Sequence, residues 1–465
     1  MPDPHAEGNG RALAWLLLLT ALAYLNSFAG IPQFDDYVVI IDNPDVSSLA
    51  HWWRSMPGMR PLLKLSYALN CSFGGLFGFH LVNLLFHGAN VLLVLMLLQH
   101  LLPTGQRGAA FAGALLFALH PVNTEVVTML SGRSVSLATM WMLGSMVARL
   151  RGSVVRSLLA FALAIASRET ALVLPALLTL VLYWQALVHP GQRDGAWRAA
   201  LRGARWHWLI CVVGLLLVAA LPRHRELLQV SLAIRTPWDN LVTQALATWY
   251  LVLQLLQPFA LNVDPRLAVF HTWELRWVVA LGLWAVALAW SLLRIRRGSW
   301  PALSLLWLAL ALLPTNSVLA RLDVANERQL YLAAIPLYAL VGMMWSRAWM
   351  GSRRHARVIT ALLTGILLAA TVMRNLVYAS ETAFWQAAVR ADGGNARAWN
   401  NLGFALEREQ PLAADAALDA YQRAIMLDPA GYKARINLRR LCAKPANVGR
   451  CQASRPQGPE SRGEF

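Results

Sequence analysis

Eleven apolar stretches, most of them near the length of a bilayer crossing, constrain this chain more than any other feature. They run roughly over 13–29, 79–102, 109–121, 134–150, 154–167, 170–188, 206–222, 276–293, 300–319, 330–347 and 358–377, against the about 20 apolar residues that carry a helix across the hydrocarbon core. In lipid every backbone N–H and C=O must be satisfied internally, which favours helices for runs of this length. Charged residues make up 14% of the chain and hydrophobic ones 57%, whereas soluble domains are about a quarter charged. The expected fold class is therefore all-α, a polytopic helical membrane protein with about eleven spans. A twelfth segment, Leu241 to Leu261, is apolar enough to cross, but crossing would move Arg294, Arg296 and Arg297 to the opposite face. It is expected to be re-entrant or interfacial.

The net charge of +17 comes almost wholly from arginine, since lysine occurs only at Lys64, Lys433 and Lys444. This bias points to a GC-rich genome and not to a nucleic-acid partner. Four arginine clusters (Arg149, Arg151 and Arg156; Arg193, Arg198, Arg202 and Arg205; Arg294, Arg296 and Arg297; Arg347, Arg353, Arg354 and Arg357) all fall in cytoplasmic loops if the amino terminus is inside. The carboxyl terminus then lies outside, on the face of Asp35 and Asp36. The expected location is a bacterial inner membrane, with a cytoplasmic amino terminus and a periplasmic carboxyl terminus; the arginine bias and short repeat region favour it over the endoplasmic reticulum. The first span, ending in Ser27, Ala29 and Gly30, has the outline of a cleaved signal. Cleavage would leave the two acids at a free amino terminus, which fits poorly with the motifs below.

After Tyr378 the composition changes. A membrane domain is expected over 1–379, a helical repeat module over 380–443 and a disordered tail over 444–465. Trp399, Leu402 and Gly403, then Ala417, Tyr421, Ala424 and Pro429, follow the large and small positions of a tetratricopeptide repeat (TPR). Gly403 to Ala417 is two residues longer than the usual spacing and contains Pro411, so the turn there is extended. About two repeats are fewer than the three that normally stand alone, and the module is expected to pack on the outer face. Cys442 and Cys451 are close enough to pair in an oxidising compartment, while Cys71 and Cys211 have no obvious partner. Phosphate loop, zinc spacing and nucleophile elbow are all missing, which argues against an ATP-driven pump.

The acids form one outer layer: Asp35, Asp36, Asp42, Asp45, Glu125, Glu169, Asp264, Asp323 and Glu327. A proton relay would need acids at several depths. A carboxylate pair on one face can instead act as a general base or bind a divalent metal. Arg60, His80, His120, Arg133, Arg168, Arg321 and Arg328 share the layer, and arginine suits a lipid-linked phosphate because it binds phosphate oxygens in a bidentate way and neutralises a leaving phosphate. Taken singly, any of these charges could equally face headgroups or cap a loop.

Several pieces occur in a particular order. They are Asn26-Ser27, Phe34-Asp35-Asp36 and Asn43-Pro44, Arg60-Pro61-Leu62, then Phe79-His80-Leu81-Val82-Asn83 with His87. His120-Pro121-Val122-Asn123-Thr124-Glu125, Ser131-Gly132-Arg133, Ser167-Arg168-Glu169, and Asn326-Glu327-Arg328 with Tyr331 follow. With the carboxyl-terminal repeats, they make the chain resemble the transmembrane and TPR O-mannosyltransferases and their bacterial relatives, of the GT-C class of polyprenyl-phosphate-dependent glycosyltransferases.

The resemblance implies an inverting transfer of a mannose-like sugar from a polyprenyl-phosphate donor to a hydroxyl of a protein or glycan acceptor on the outer face. Asp35 or Asp36 would be the catalytic base. Arg133 would be the first choice for the donor phosphate, supported by Arg168 and Arg328; His120 and Glu125 would orient the first outer loop or the acceptor. Arg60, His80, Glu169, Glu327 and Tyr331 complete the expected site. No cofactor is implied with certainty, and a divalent metal at Asp35 and Asp36 stays open. The chain departs from the family at Val135, where an acid is frequent, and at Arg168, where a lysine is. The repeats would hold the acceptor or a protein partner along a concave surface. Two other classes compete. A non-enzymatic envelope assembly factor would make Asp35, Asp36 and Arg133 dispensable; a transporter would call for midplane polar residues and an internal duplication.

Overall fold

The computed structural model describes residues 4–453 except 57, 189–192, 221, 349–352 and 410–412. Each of the eleven apolar stretches forms helix over most of its length, the stretch 300–319 only as far as Leu312, and no strand forms among the described residues. Among the described residues, five helices are long and apolar enough to cross a membrane, or up to seven if each of two bent pairs counts as one span; Val154–Ser167 and Trp300–Leu312 are apolar but shorter. The protein is an all-α, multi-pass membrane protein.

The segment expected to be re-entrant or interfacial is one unbroken helix, Pro237–Leu256, which corrects the re-entrant alternative; Pro237 is in its first turn and the Thr236 hydroxyl accepts from the Asp239 N–H. No glycine or proline lies inside it to break it. Asn240, Thr243, Gln244 and Gln254 are buried while Trp238, Leu253 and Leu256 are exposed. Its polar face therefore points into the protein.

The two bends lie where proline removes a backbone donor. Arg107–Leu119 and Pro121–Val127 meet at 51°. Pro121 cannot donate to the Phe117 carbonyl, and the Asn123 side-chain amide does so at 2.7 Å. Glu327–Ala333 and Ile335–Arg347 meet at 65°. Pro336 leaves the Leu332 carbonyl bare, and the Trp307 indole N–H takes it at 2.9 Å. Each bend thus turns a motif of the outer layer out of a span without abandoning a carbonyl to lipid.

Gly132 sits where the backbone crosses the strand of chain around Glu125. A Cβ there would come within 2.5 Å of the Glu125 carbonyl oxygen and 2.6 Å of that of Val126. We expect Gly132→Ala to cut the yield of folded protein sharply and to lower its melting temperature in detergent, since only a backbone shift removes the clash. An unchanged melting curve would contradict this packing.

Arg353–Leu376 gathers this layer from behind. The Asn375 amide donates to the Ala23 carbonyl and accepts from Thr128, the Thr371 hydroxyl donates to the Leu119 carbonyl, and Arg374 pairs with Glu327 at 2.7 Å.

By its contacts the chain divides into two compact units, and the second comprises Asn262–Arg266 together with the chain from Ala379 onward. Its helices are Glu381–Ala391, Ala396–Glu409, Ala414–Leu427 and Tyr432–Cys442. A Cβ on Gly403 would lie 2.8 Å from the ring of Tyr421; this small-against-large pair is the packing the repeat pattern implies. Asp264 accepts from the Asn395 amide at 2.9 Å and is bound by Arg397. Pro411 lies outside the described residues. The expectation of disorder from Lys444 is corrected as far as Ala453. Pro445–Asn447 is a 3₁₀ turn and Val448–Ala453 a helix, tied back by a disulfide between Cys442 and Cys451. Residues 454–465 lie outside the described part.

Candidate active site

The two adjacent aspartates part company. Asp36 is fully buried, its Oδ2 accepting from the backbone N–H of Gln33 at 3.0 Å and of Leu130 at 3.3 Å, and its Oδ1 from that of Ser131 at 2.7 Å. Burial pushes its carboxyl above the ordinary range, and these N–H bonds oppose that shift. Asp36 thus fastens the first outer loop to the turn before Gly132. Asp35 remains partly exposed and meets Arg328, whose Nη2 lies 3.1 Å from its Oδ2. A divalent ion at the pair, left open by the sequence, does not fit, because both oxygens of Asp36 are already taken by backbone donors. No cluster of three His, Cys, Asp or Glu suited to a metal occurs among the described residues.

Among the described residues, two non-glycine residues have positive φ, Phe34 at 42° and Arg60 at 53°. Arg60 precedes Pro61, which disfavours the α region for it. Such strain persists where surrounding contacts impose it, and it is frequent at functional sites. The Arg60 guanidinium straddles Glu169, with Nε 3.0 Å from each carboxylate oxygen.

Arg328 is the centre of the cluster. Besides Asp35, its guanidinium reaches Glu125 at 3.3 Å, and its backbone N–H donates to the same carboxylate at 2.8 Å. Glu125 therefore orients Arg328, a role the sequence had given it toward the first outer loop. Arg328 also lines a cleft with Arg168, Thr139, Thr170, Thr315 and Gln329, whose remaining walls include Val135, Met142, Val173 and Leu332. Arg168 is almost fully buried there and donates to the Ser134 hydroxyl at 2.6 Å. Burial, followed by the nearby Arg60, Arg321 and Arg328, pushes its guanidinium well below the ordinary arginine range.

Arg133, the first choice for a phosphate, does not reach the cleft. It is completely buried between the rings of Tyr67 and Phe79, 5.0 Å from each, and its N–H groups go to Asn83 Oδ1 and to the carbonyls of Ser66 and Phe79. Every direction of the guanidinium fork is filled by the protein itself. His120 likewise turns away from the outer loop, with Nδ1 accepting from the Val122 N–H and Nε2 donating to the Leu255 carbonyl. His80 lies 3.1 Å from the Gly30 carbonyl, Tyr331 bonds His87 at 2.7 Å, and Glu327 pairs with Arg374. These four hold the layer together from within. Arg374 and Asn375 were not among the expected site residues. Their signal was polar groups inside an otherwise apolar span, which are costly unless they have partners.

No family model matches the chain, and no solved structure does. Curated proteins do. Human protein O-mannosyl-transferase TMTC1 is 37% identical over 145 residues, covering 27% of this chain and 16% of the human protein. Drosophila melanogaster Tmtc1 is 37% identical over 153 residues, 29% of this chain and 18% of its own length. Mouse TMTC3 is 24% identical over 495 aligned positions, which take in 94% of this chain and 53% of the mouse protein. At its widest match, the chain spans about half of a relative's length.

Proposed function

We propose that this chain, a relative of the transmembrane and TPR O-mannosyltransferases, is a glycosyltransferase that takes a mannose-like sugar from a polyprenyl phosphate and passes it to a protein hydroxyl at the outer membrane face. The observation that carries this reading is the cleft. A buried cation crowded by like charges is unfavourable; Arg168 donates to the Ser134 hydroxyl, and burial together with Arg60, Arg321 and Arg328 outweighs the one acid acting on it, Glu169. An anion with several oxygens would relieve that cluster, while the apolar walls suit a prenyl chain. Arg168 and Arg328 are the phosphate ligands on this reading, and Arg133 is a structural residue.

Asp35 is the base. As the acceptor oxygen forms its bond to the anomeric carbon, its proton passes to the Asp35 carboxylate. The bond from that carbon to the phosphate oxygen breaks, the electron pair leaves with the polyprenyl phosphate, and the arginines stabilise the charge. Attack from the face opposite the phosphate gives inversion. The repeat unit presents the acceptor, and the outer face is periplasmic in a bacterial inner membrane.

The test is transfer of radiolabelled sugar from a panel of polyprenyl-phosphate donors in membranes containing the chain or its Asp35→Asn variant at equal levels. Label on a protein with the parent chain alone is the expected result. No difference across a panel that includes mannose would favour the assembly-factor reading. Removing Glu381 onward should change which proteins are labelled while leaving binding of the donor measurable. An unchanged set of labelled proteins would make the repeats structural.

A further inference from the structure

Arg328 faces two ways, toward Asp35 at 3.1 Å and into the cleft beside Arg168. Glu125 anchors it from a third side through both the backbone N–H and the guanidinium Nε. Asp35 is met through Nη2, one end of a planar, rigid fork, so an anion in the cleft that turns the fork toward itself competes with Asp35 for that nitrogen. Arg321 carries a positive charge near both Arg328 and Asp35 and adds to the pull on either anion.

We infer that Arg328 couples donor and acceptor chemistry by switching its partner: paired with Asp35 it covers that carboxylate, and phosphate entry draws it away and leaves the carboxylate open to an acceptor hydroxyl. Glu125 keeps Arg328 in place through the exchange, so the movement is a change of partner by the guanidinium tip. Without donor, the base stays masked. This inference rests on the cleft being a phosphate site, as proposed above.

Linkage makes the inference testable without turnover. If Asp35 and phosphate compete for Arg328, removing the Asp35 charge must tighten phosphate binding, and coupling between sites of this kind is about 5–150-fold. The full chain in detergent is titrated with a polyprenyl phosphate that carries no sugar. Asp35→Asn should lower its Kd at least about fivefold, and the gain should vanish in an Arg328→Gln background. A gain that persists undiminished with Arg328→Gln would be through-space repulsion and would overturn the inference, as would an unchanged Kd in Asp35→Asn. Failure of the parent chain to bind polyprenyl phosphate at all would instead remove the phosphate-site reading beneath it.

Should the Arg328 variant not fold, the parent chain alone decides. Modification of Asp35 by a water-soluble carbodiimide, read by peptide mapping, should rise when polyprenyl phosphate is added. Protection that is unchanged while the lipid binds would equally overturn the switch.

Discussion

Asp35→Asn is expected to abolish transfer, by about 10²–10⁴-fold, in a protein that inserts and melts like the parent. Asp35 is partly exposed and pairs with Arg328, so an amide of the same shape removes the base with little structural cost. Asp36 should behave in the opposite way. Its carboxylate serves three backbone N–H groups from within the protein, and Asp36→Ala orphans them at about 1–3 kcal/mol each. That variant should lose folded protein before it loses chemistry, as a lowered melting temperature and protease-sensitive loops would report. Normal transfer by Asp35→Asn would end the general-base assignment, and a stable but inactive Asp36→Ala would return the role to its neighbour.

The second large effect separates two arginines that look alike in sequence. Arg133→Ala strips the donor from the Ser66 and Phe79 carbonyls and from the Asn83 amide oxygen, costing about 1–3 kcal/mol for each acceptor left bare, and it opens a void between two rings. Little folded protein should be recovered, and what is recovered should use donor normally. Arg168→Ala should spare the melting temperature and lower kcat/KM for the donor about 10²-fold, the loss typical of one charge-stabilising donor. Donor titrations on both variants, each paired with a melting curve, check this. A stable Arg133→Ala with weakened donor use would restore the phosphate to that residue.

This reversal shows what the sequence carried and what it did not. The apolar runs specified helices because lipid leaves the backbone few other options, and all eleven stretches are helical over most of their length. Gly403 and Tyr421 were legible as a packed pair because the repeat fixes their spacing. The outer layer of charge was also visible, since charged residues at span ends are few. Which charge meets which was not. Asp35 and Asp36 are neighbours in sequence, yet one is enclosed by donors from residues 33, 130 and 131 and the other faces Arg328; that choice depends on how loops close over distances of about a hundred residues and more. Arg133 and Arg168 each follow a small residue or polar turn at a helix start, and only the rings of Tyr67 and Phe79 tell them apart. For Leu241 to Leu261, loop charge could bear on which face the neighbouring loops take but not on whether the segment breaks, and Pro237–Leu256 is one continuous helix.

The helix Arg353–Leu376 has a consequence for synthesis. It supplies the groups that satisfy the Ala23 carbonyl at the end of the first span, Thr128, the Leu119 carbonyl beside the first bend, and Glu327 beside the second. A nascent chain halted before that helix holds all of these polar atoms ready with nothing to receive them. On this account the outer layer of the membrane unit does not close span by span as the chain leaves the ribosome. Its outer layer is completed in one late event, when a helix made more than 300 residues after the first span arrives beside it. Until then the early spans are candidates for retention by the insertion machinery, and a truncated product is marked for removal by the same exposed groups.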